Sequence, residues 1–226
     1  MMQYGLLSYE FKTHFNIGDY VQSIAAKQFL PRTDVFLNRE ELHTFQSDDP
    51  VYFICNGWFM FHPENWPPAP SLHPLFISFH INPKYGQRFL TDGCVDYLKQ
   101  HGPIGCRDEQ TLKMLEEKQI PAWNSGCLTL TLGRSYQHHA DEQAPVLICD
   151  LMFAVPKLSK ILLRPFKAIE KRWWQQYFYK KAILKKLLKN ADRKVKIIGS
   201  DYAAADYPDA ESRFKLADQQ LKTYQN

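Results

Sequence analysis

Two apolar runs, each too short for a helix, constrain the fold of this chain more than any other feature. Residues 51–55 read VYFIC and residues 75–81 read LFISFHI, and such aromatic and β-branched runs are typical of strands buried on both faces. Residues 19–30, 89–100 and 108–118 show helical periodicity instead. Strands that alternate with helices predict an α/β fold with a mostly parallel sheet covered on both faces.

The same alternation predicts the organisation of the rest of the chain. Further strands are expected over residues 2–9, 103–106, 122–124, 145–151 and 195–200, and a final helix over residues 209–224. A polar linker precedes the strand at 145, so we predict a first domain over residues 1–143 and the start of a second α/β unit over residues 144–226.

Composition excludes several classes of protein. No stretch approaches the roughly 20 apolar residues of a membrane span, and the N-terminus lacks the basic start of a secretory signal, which predicts a cytoplasmic protein. The five cysteines are odd in number and widely spaced, a pattern that favours buried reduced thiols over disulfides. No Cys or His cluster has zinc-ligand spacing, so we expect no metal.

Five strand ends or strand-to-helix junctions carry the candidate site residues. The first is Asn16-Ile17-Gly18-Asp19, where Gly18 permits a tight turn and Asp19, with Gln22 three residues later, fits a capping box. A helix N-terminus at the carboxyl edge of a sheet also suits an anion, so Asn16, Gly18 and Asp19 are candidate binding residues. Capping alone explains Asp19 equally well.

The next two candidates follow the apolar runs. Asn56-Gly57 is expected to form a loop at the carboxyl end of its strand, facing ligand, with a plain Asn-Gly turn as the alternative. Ser78 and His80 lie near the end of the next strand. A single histidine is more often a hydrogen-bonded structural residue than a catalytic one.

The last two candidates lie further along the chain. Arg107 is a permanent cation at a strand-to-helix junction and could bind a carboxylate or phosphate with two hydrogen bonds. An ion pair with Asp108 or Glu109 explains an arginine at this position too. Ser125-Gly126 forms a turn before the alternating Thr and Leu residues 128–132. We take Cys106 as a packing residue and Asp108 as a helix N-cap.

Taken together, these segments resemble one family. The resemblance rests on six segments in this order over the first 150 residues: NIGDY with Gln22, NGWF at 56–59, NWPP at 65–68, ISFH at 77–80, PIGCRD at 103–108 and SGCLTLTL at 125–132. In this order they are similar to the N-terminal half of polysaccharide pyruvyl transferases.

This resemblance implies an activity and an architecture. Members have two Rossmann-like domains facing across a cleft, as in GT-B glycosyltransferases, and move pyruvate from phosphoenolpyruvate onto a pair of glycan hydroxyls as a ketal. The donor is phosphoenolpyruvate, no other cofactor is implied, and the acceptor is a glycan or a lipid-linked sugar of exopolysaccharide synthesis. Asp19, His80 and Arg107 are the catalytic candidates, because the reaction needs an acid, a base and a cation.

One part of the family pattern has no counterpart here. Members carry an Arg-Leu-His type motif in the C-terminal domain, and it does not occur before Asn226. The expectation is therefore a truncated second domain, completed by a separate C-terminal half or by none. We expect this chain alone to bind phosphoenolpyruvate weakly without turning it over. The alternative is an inactive remnant, or a glycan-binding or ligand-binding subunit.

A basic segment, residues 157–189, holds eleven Lys or Arg against one Glu and is interleaved with aromatic residues, whereas the net charge of the chain is only +4. This composition suits an anionic membrane surface, which predicts peripheral contact with the inner face of the membrane. Nucleic acid also attracts cations and aromatics, but no nucleic-acid motif accompanies the segment, so we expect no such partner. A solvated helix face with packed aromatics fits equally well.

Overall fold

The computed structural model describes residues 1–10, 13–59, 61–137, 146–149, 178, 182, 185–186, 195–198 and 201–223. The predicted basic segment 157–189 therefore lies almost entirely outside the described residues. Compact packing divides the chain into one unit over residues 1–138 and 201–225 and another that covers residues 139–200.

A six-stranded parallel sheet forms the centre of the first unit. Its strands are β1 (Gln3–Ser8), β3 (Val35–Asn38), β4 (Val51–Phe59), β5 (Leu72–Ile81), β6 (Ile104–Cys106) and β7 (Ala122–Asn124). They are arranged in the order β3-β1-β4-β5-β6-β7. The fold is therefore α/β with a Rossmann-like parallel sheet, as the alternation of strands and helices predicts.

Helices flank this sheet. They are α1 (Ile17–Lys27), α2 (Gly86–Phe89), α3 (Asp92–Gln100), α4 (Glu109–Glu117) and α5 (Ala210–Thr223). Short 3-10 helices cover Arg39–Thr44, Pro63–Asn65, Pro83–Tyr85, Leu128–Arg134 and Ala204–Asp206. Asp108 caps α4 as predicted, since its side chain accepts from the backbone N–H groups of Gln110 and Thr111.

Two local predictions were wrong. Asn16, and not Asp19, is the N-cap of α1: its side-chain oxygen accepts from the Gly18 N–H at 2.8 Å, and Asp19 lies inside the first turn. The predicted Asn56-Gly57 loop is part of β4, which runs on to Phe59 past an irregularity between Cys55 and Gly57. Gly57 has φ +114°, which glycine accommodates without strain.

The sequence predicts that the end of the chain belongs to the second unit, but residues 201–223 pack with the first. Strand β10 (Asp201–Ala203) pairs antiparallel with β2 (His14–Asn16). Arg213 of α5 is buried and donates through Nη1 to the carbonyl of Tyr9 at 2.8 Å. The second unit contains the parallel pair β8 (Val146–Cys149) and β9 (Val195–Ile198) among the described residues.

Aromatic and aliphatic side chains fill the core beside the sheet. Phe76 and Phe79 of β5 are almost fully buried, and Leu115 of α4 packs in the same cluster. Burial of one such side chain stabilises the fold by about 2 kcal/mol. Strand β6 can approach β5 closely because Gly105 has no side chain. A Cβ at this position would lie only 2.9 Å from the Phe76 carbonyl oxygen. Only glycine fits at that position.

In the part of the chain that the structure describes, no helix is long and apolar enough to cross a membrane. Four cysteines are described with their surroundings and all are free: Cys55, Cys94 and Cys106 are buried, and Cys127 is half-buried.

Candidate functional site

The sheet has a topological switch point at β1. The chain runs from β1 to β3 on one side and then crosses to β4 on the other side of β1. In open parallel sheets, ligands bind in the crevice that this reversal opens at the carboxyl ends of the strands. The first turn of α1 and the carboxyl ends of β1, β3 and β4 meet at this crevice.

Asp19 lies at this point beside an arginine that the sequence did not single out. Arg39 directly follows β3 and is fully buried, and its Nη1 lies 3.6 Å from Asp19 Oδ1. The guanidinium also stacks 4.5 Å from the Tyr9 ring centroid, and its Nε donates to Glu40 Oε1 at 2.7 Å. Burial raises the pKa of Asp19 although Arg39 and Arg107 oppose the rise.

Gln22 connects this group to the neighbouring strand ends. Its side-chain oxygen accepts from Arg107 Nη1 at 3.4 Å, and its backbone carbonyl accepts from Asn56 Nδ2 at 2.8 Å. A Cβ on Gly57 would lie 3.3 Å from the Tyr9 hydroxyl and 3.7 Å from Gln22 Oε1. Gly57 therefore allows β4 to approach Tyr9 and α1, which is a packing role.

His80 and Arg107 line an open cleft of about 620 Å³ together with Asp108, Glu109, Gln110 and Cys127. His80 Nδ1 contacts Asp108 Oδ2, and the hydroxyl of Thr111 lies 3.3 Å from the same ring nitrogen. No ion pair joins Arg107 to Asp108 or Glu109 within the described ranges. Asp108 instead fixes the imidazole ring, as the orienting carboxylate does in acid–base sites.

The surroundings favour a neutral imidazole. Burial lowers the pKa of His80, Arg107 adds to that effect, and Asp108 opposes it. The pKa of Asp108 is lowered even though burial would raise it, because the Thr111 N–H and His80 hydrogen-bond to the carboxylate. A neutral histidine held by a carboxylate is equipped to accept a proton.

The remaining candidates, Ser78, Ser125 and Gly126, form a partly buried hydrogen-bond network next to the cleft. The Ser78 hydroxyl donates to the Gly126 carbonyl at 3.0 Å and accepts from the Leu128 N–H at 2.8 Å. The Ser125 hydroxyl accepts from the Ser78 N–H at 2.9 Å and donates to the Cys106 carbonyl. These bonds hold the turn after β7 against β5, so both hydroxyls position the backbone around the cleft.

The chain matches no family model, no curated protein and no solved structure. The likeness to pyruvyl transferases therefore rests on the segments named above. Among the described residues, no group of three or more His, Cys, Asp or Glu side chains could hold a metal ion.

The structure thus brings the predicted residues together in part. Asn16, Gly18, Asp19, Asn56 and Gly57 lie around the start of α1, and His80 and Arg107 share the neighbouring cleft. Sequence reasoning missed Arg39, Thr111 and the pairing of Asp108 with His80. The one signal in the sequence was Asp108 itself, which was identified as a helix cap and as a possible ion-pair partner of Arg107, but not as a partner of His80.

Matched variants should move the pKa of His80 in opposite directions. Arg107→Gln removes a nearby positive charge, so the pKa should rise towards its ordinary value. Asp108→Asn keeps a side chain that caps helices well but removes the negative charge, so the pKa should fall further. NMR titration of the His80 ring protons measures both shifts. Equal shifts in one direction would contradict the geometry.

Proposed function

We propose that this chain carries the donor-binding and proton-transfer residues of a phosphoenolpyruvate-dependent pyruvyl transferase that acts on a glycan or a lipid-linked sugar. One observation carries the proposal. Arg107 lines one cleft with His80 and donates to Gln22, three residues beyond Asp19 on α1, so a cation, an acid and a base share one sheet edge.

The donor makes demands that these groups meet. Phosphoenolpyruvate carries a carboxylate and a phosphate, and a guanidinium binds either of them with two parallel hydrogen bonds. Arg107 donates only one long bond, to Gln22 at 3.4 Å, among the contacts of the described residues. Its remaining donors are therefore free to engage an anion.

Asp19 and His80 are suited to opposite proton transfers. Pyruvyl transfer needs a proton on the methylene carbon of the donor, which leaves an oxocarbenium-like carbon that the first sugar hydroxyl attacks. Phosphate then leaves, and the second hydroxyl of the pair attacks the same carbon to close the ketal. Asp19, whose pKa is raised by burial, is suited to deliver that proton. His80, whose pKa is lowered, is suited to accept a proton from an attacking sugar hydroxyl.

Binding of phosphoenolpyruvate tests the proposal. Arg107→Ala should weaken binding by about tenfold, because a charge-assisted hydrogen-bonded pair is lost. Isothermal titration calorimetry measures the affinity. Arg88→Ala is the matched control, since Arg88 is an exposed arginine with a 3.7 Å ion pair to Glu64. No binding by the unaltered protein, or an equal loss in both variants, would refute the proposed donor site.

A further inference from the structure

The buried guanidinium of Arg39 leaves most of its hydrogen-bonding capacity unused. Its Nε donates to Glu40, and its Nη1 faces Asp19 at 3.6 Å, too far for a hydrogen bond. Neither Nη1 nor Nη2 has a hydrogen-bond partner in the described part of the chain. A guanidinium has five N–H groups. Buried donors without acceptors are rare in folded proteins, so these two nitrogen atoms are unusual.

Arg39 lies where a ligand is expected on topological grounds. It follows the carboxyl end of β3, next to the first turn of α1, and Asp19 interacts electrostatically with both Arg39 and Arg107. Trp58 on β4 also has a buried Nε1 without a hydrogen-bond partner within the described ranges. The donors that lack acceptors therefore lie directly after β3 and on β4, the two strands that flank β1 at the switch point.

Both of these side chains contact the same aromatic ring. The Phe61 ring lies 5.7 Å from the Arg39 guanidinium and 6.1 Å from the Trp58 ring. Phe61 is 46% exposed, whereas Arg39 is 1% exposed. An anion that takes the place of this ring beside the guanidinium therefore displaces its cation–π contact with Arg39.

We propose that Arg39 binds one oxyanion group of an acidic ligand whose other anionic group is held by Arg107. The inference deepens the proposed function, on which it rests for the identity of the ligand as phosphoenolpyruvate. An oxyanion at Arg39 would accept from the Nη groups that now lack partners, in the bidentate geometry that guanidinium groups provide. Arg39 is then a binding residue and not only the counterion of Asp19 and Glu40.

NMR of the arginine Nε–H groups tests the inference on the intact protein. Phosphoenolpyruvate should shift the Arg39 signal, and titration with inorganic phosphate or pyruvate then shows whether phosphate or carboxylate binds there. Arg39→Lys keeps the positive charge but cannot form the bidentate pair of hydrogen bonds, so it should weaken phosphoenolpyruvate binding by about tenfold. Circular dichroism establishes whether this variant is folded.

A second variant, Phe61→Ala, tests the same site without altering Arg39 itself. Removing the ring should strengthen phosphoenolpyruvate binding by about fivefold, because no cation–π contact is then lost on binding. Phe29→Ala is the matched control, since Phe29 is equally exposed at 46%, and it should leave the affinity unchanged.

Two results would overturn the inference. One is an Arg39 signal that responds to none of the three anions, and the other is an affinity that Phe61→Ala leaves unchanged or weakens. Failure of the proposed function has a different signature. Phosphoenolpyruvate would then bind no better than phosphate, and Arg107→Ala would not change its affinity, while the Arg39 signal still responds to phosphate.

Discussion

Replacing Arg39 with Met is expected to lower the free energy of unfolding by about 3 kcal/mol near neutral pH, because it breaks a buried ion pair by removing one partner. Met retains most of the apolar volume against the Tyr9 ring, but Asp19 and Glu40, whose side chains are only 14% and 16% exposed, lose their counterion. Urea unfolding followed by circular dichroism measures the change.

The stability that Arg39→Met loses should depend on pH, and the pKa of Asp19 fixes the direction of that dependence. Burial raises the pKa of Asp19 above its ordinary value of 3.8, and Arg39 is the largest opposing influence, so the pKa rises further without it. A carboxyl group with a higher pKa in the folded state binds protons more tightly there, and its effect on stability becomes less favourable as the pH rises through that range. The deficit should be smallest at acidic pH and largest at neutral pH.

A second substitution separates the charge effect from lost packing. Adding Asp19→Asn to the Arg39→Met protein removes one carboxylate that has lost its counterion, so part of the stability should return at neutral pH. A deficit that is independent of pH and unaffected by Asp19→Asn would mean that Arg39 acts through packing alone. An Arg39→Met protein as stable as the unaltered one would contradict the burial of the ion pair.

Arg39 also shows where prediction from sequence stops. The long apolar runs of β4 and β5 predict strands directly, because runs of this length and composition are typical of parallel strands that are buried on both faces. Strand β3 is only four residues long, Val35–Asn38, and part of it is exposed, so periodicity could not distinguish it from a loop. Without β3 in place beside β1, nothing in the sequence predicts that the arginine after it is buried.

The pairing of His80 with Asp108 was hidden for a similar reason. The cap formed by Asp108 is a local feature and was predicted, since it involves residues two and three positions away. Its contact with His80 spans 28 positions and depends on the register of β5 and β6, which pair at Phe79 and Cys106. Register is set by packing in three dimensions, so the sequence could supply the groups of the site but not their pairing.

Replacing Ser78 with Ala should lower the free energy of unfolding by about 2 kcal/mol, because the Gly126 carbonyl and the Leu128 N–H both lose a buried partner. The backbone conformation at this residue allows a sharper test. Ser78 has φ +61°, a region that costs an L-residue about 1 kcal/mol and costs glycine little. Ser78→Gly loses the same hydroxyl but relieves this cost, so it should be more stable than Ser78→Ala.

That order reverses the usual one in a strand, where glycine is less stable than alanine by about 0.5–1 kcal/mol. Ser135→Ala serves as the control: its hydroxyl donates to Gln28 on the exposed surface, so its loss should change stability by less than about 0.5 kcal/mol. Urea unfolding of the three variants gives the comparison. A Ser78→Gly protein less stable than Ser78→Ala would show that the positive φ is not retained. A Ser78→Ala protein as stable as the Ser135→Ala control would show that the hydroxyl does not hold the turn beside the cleft.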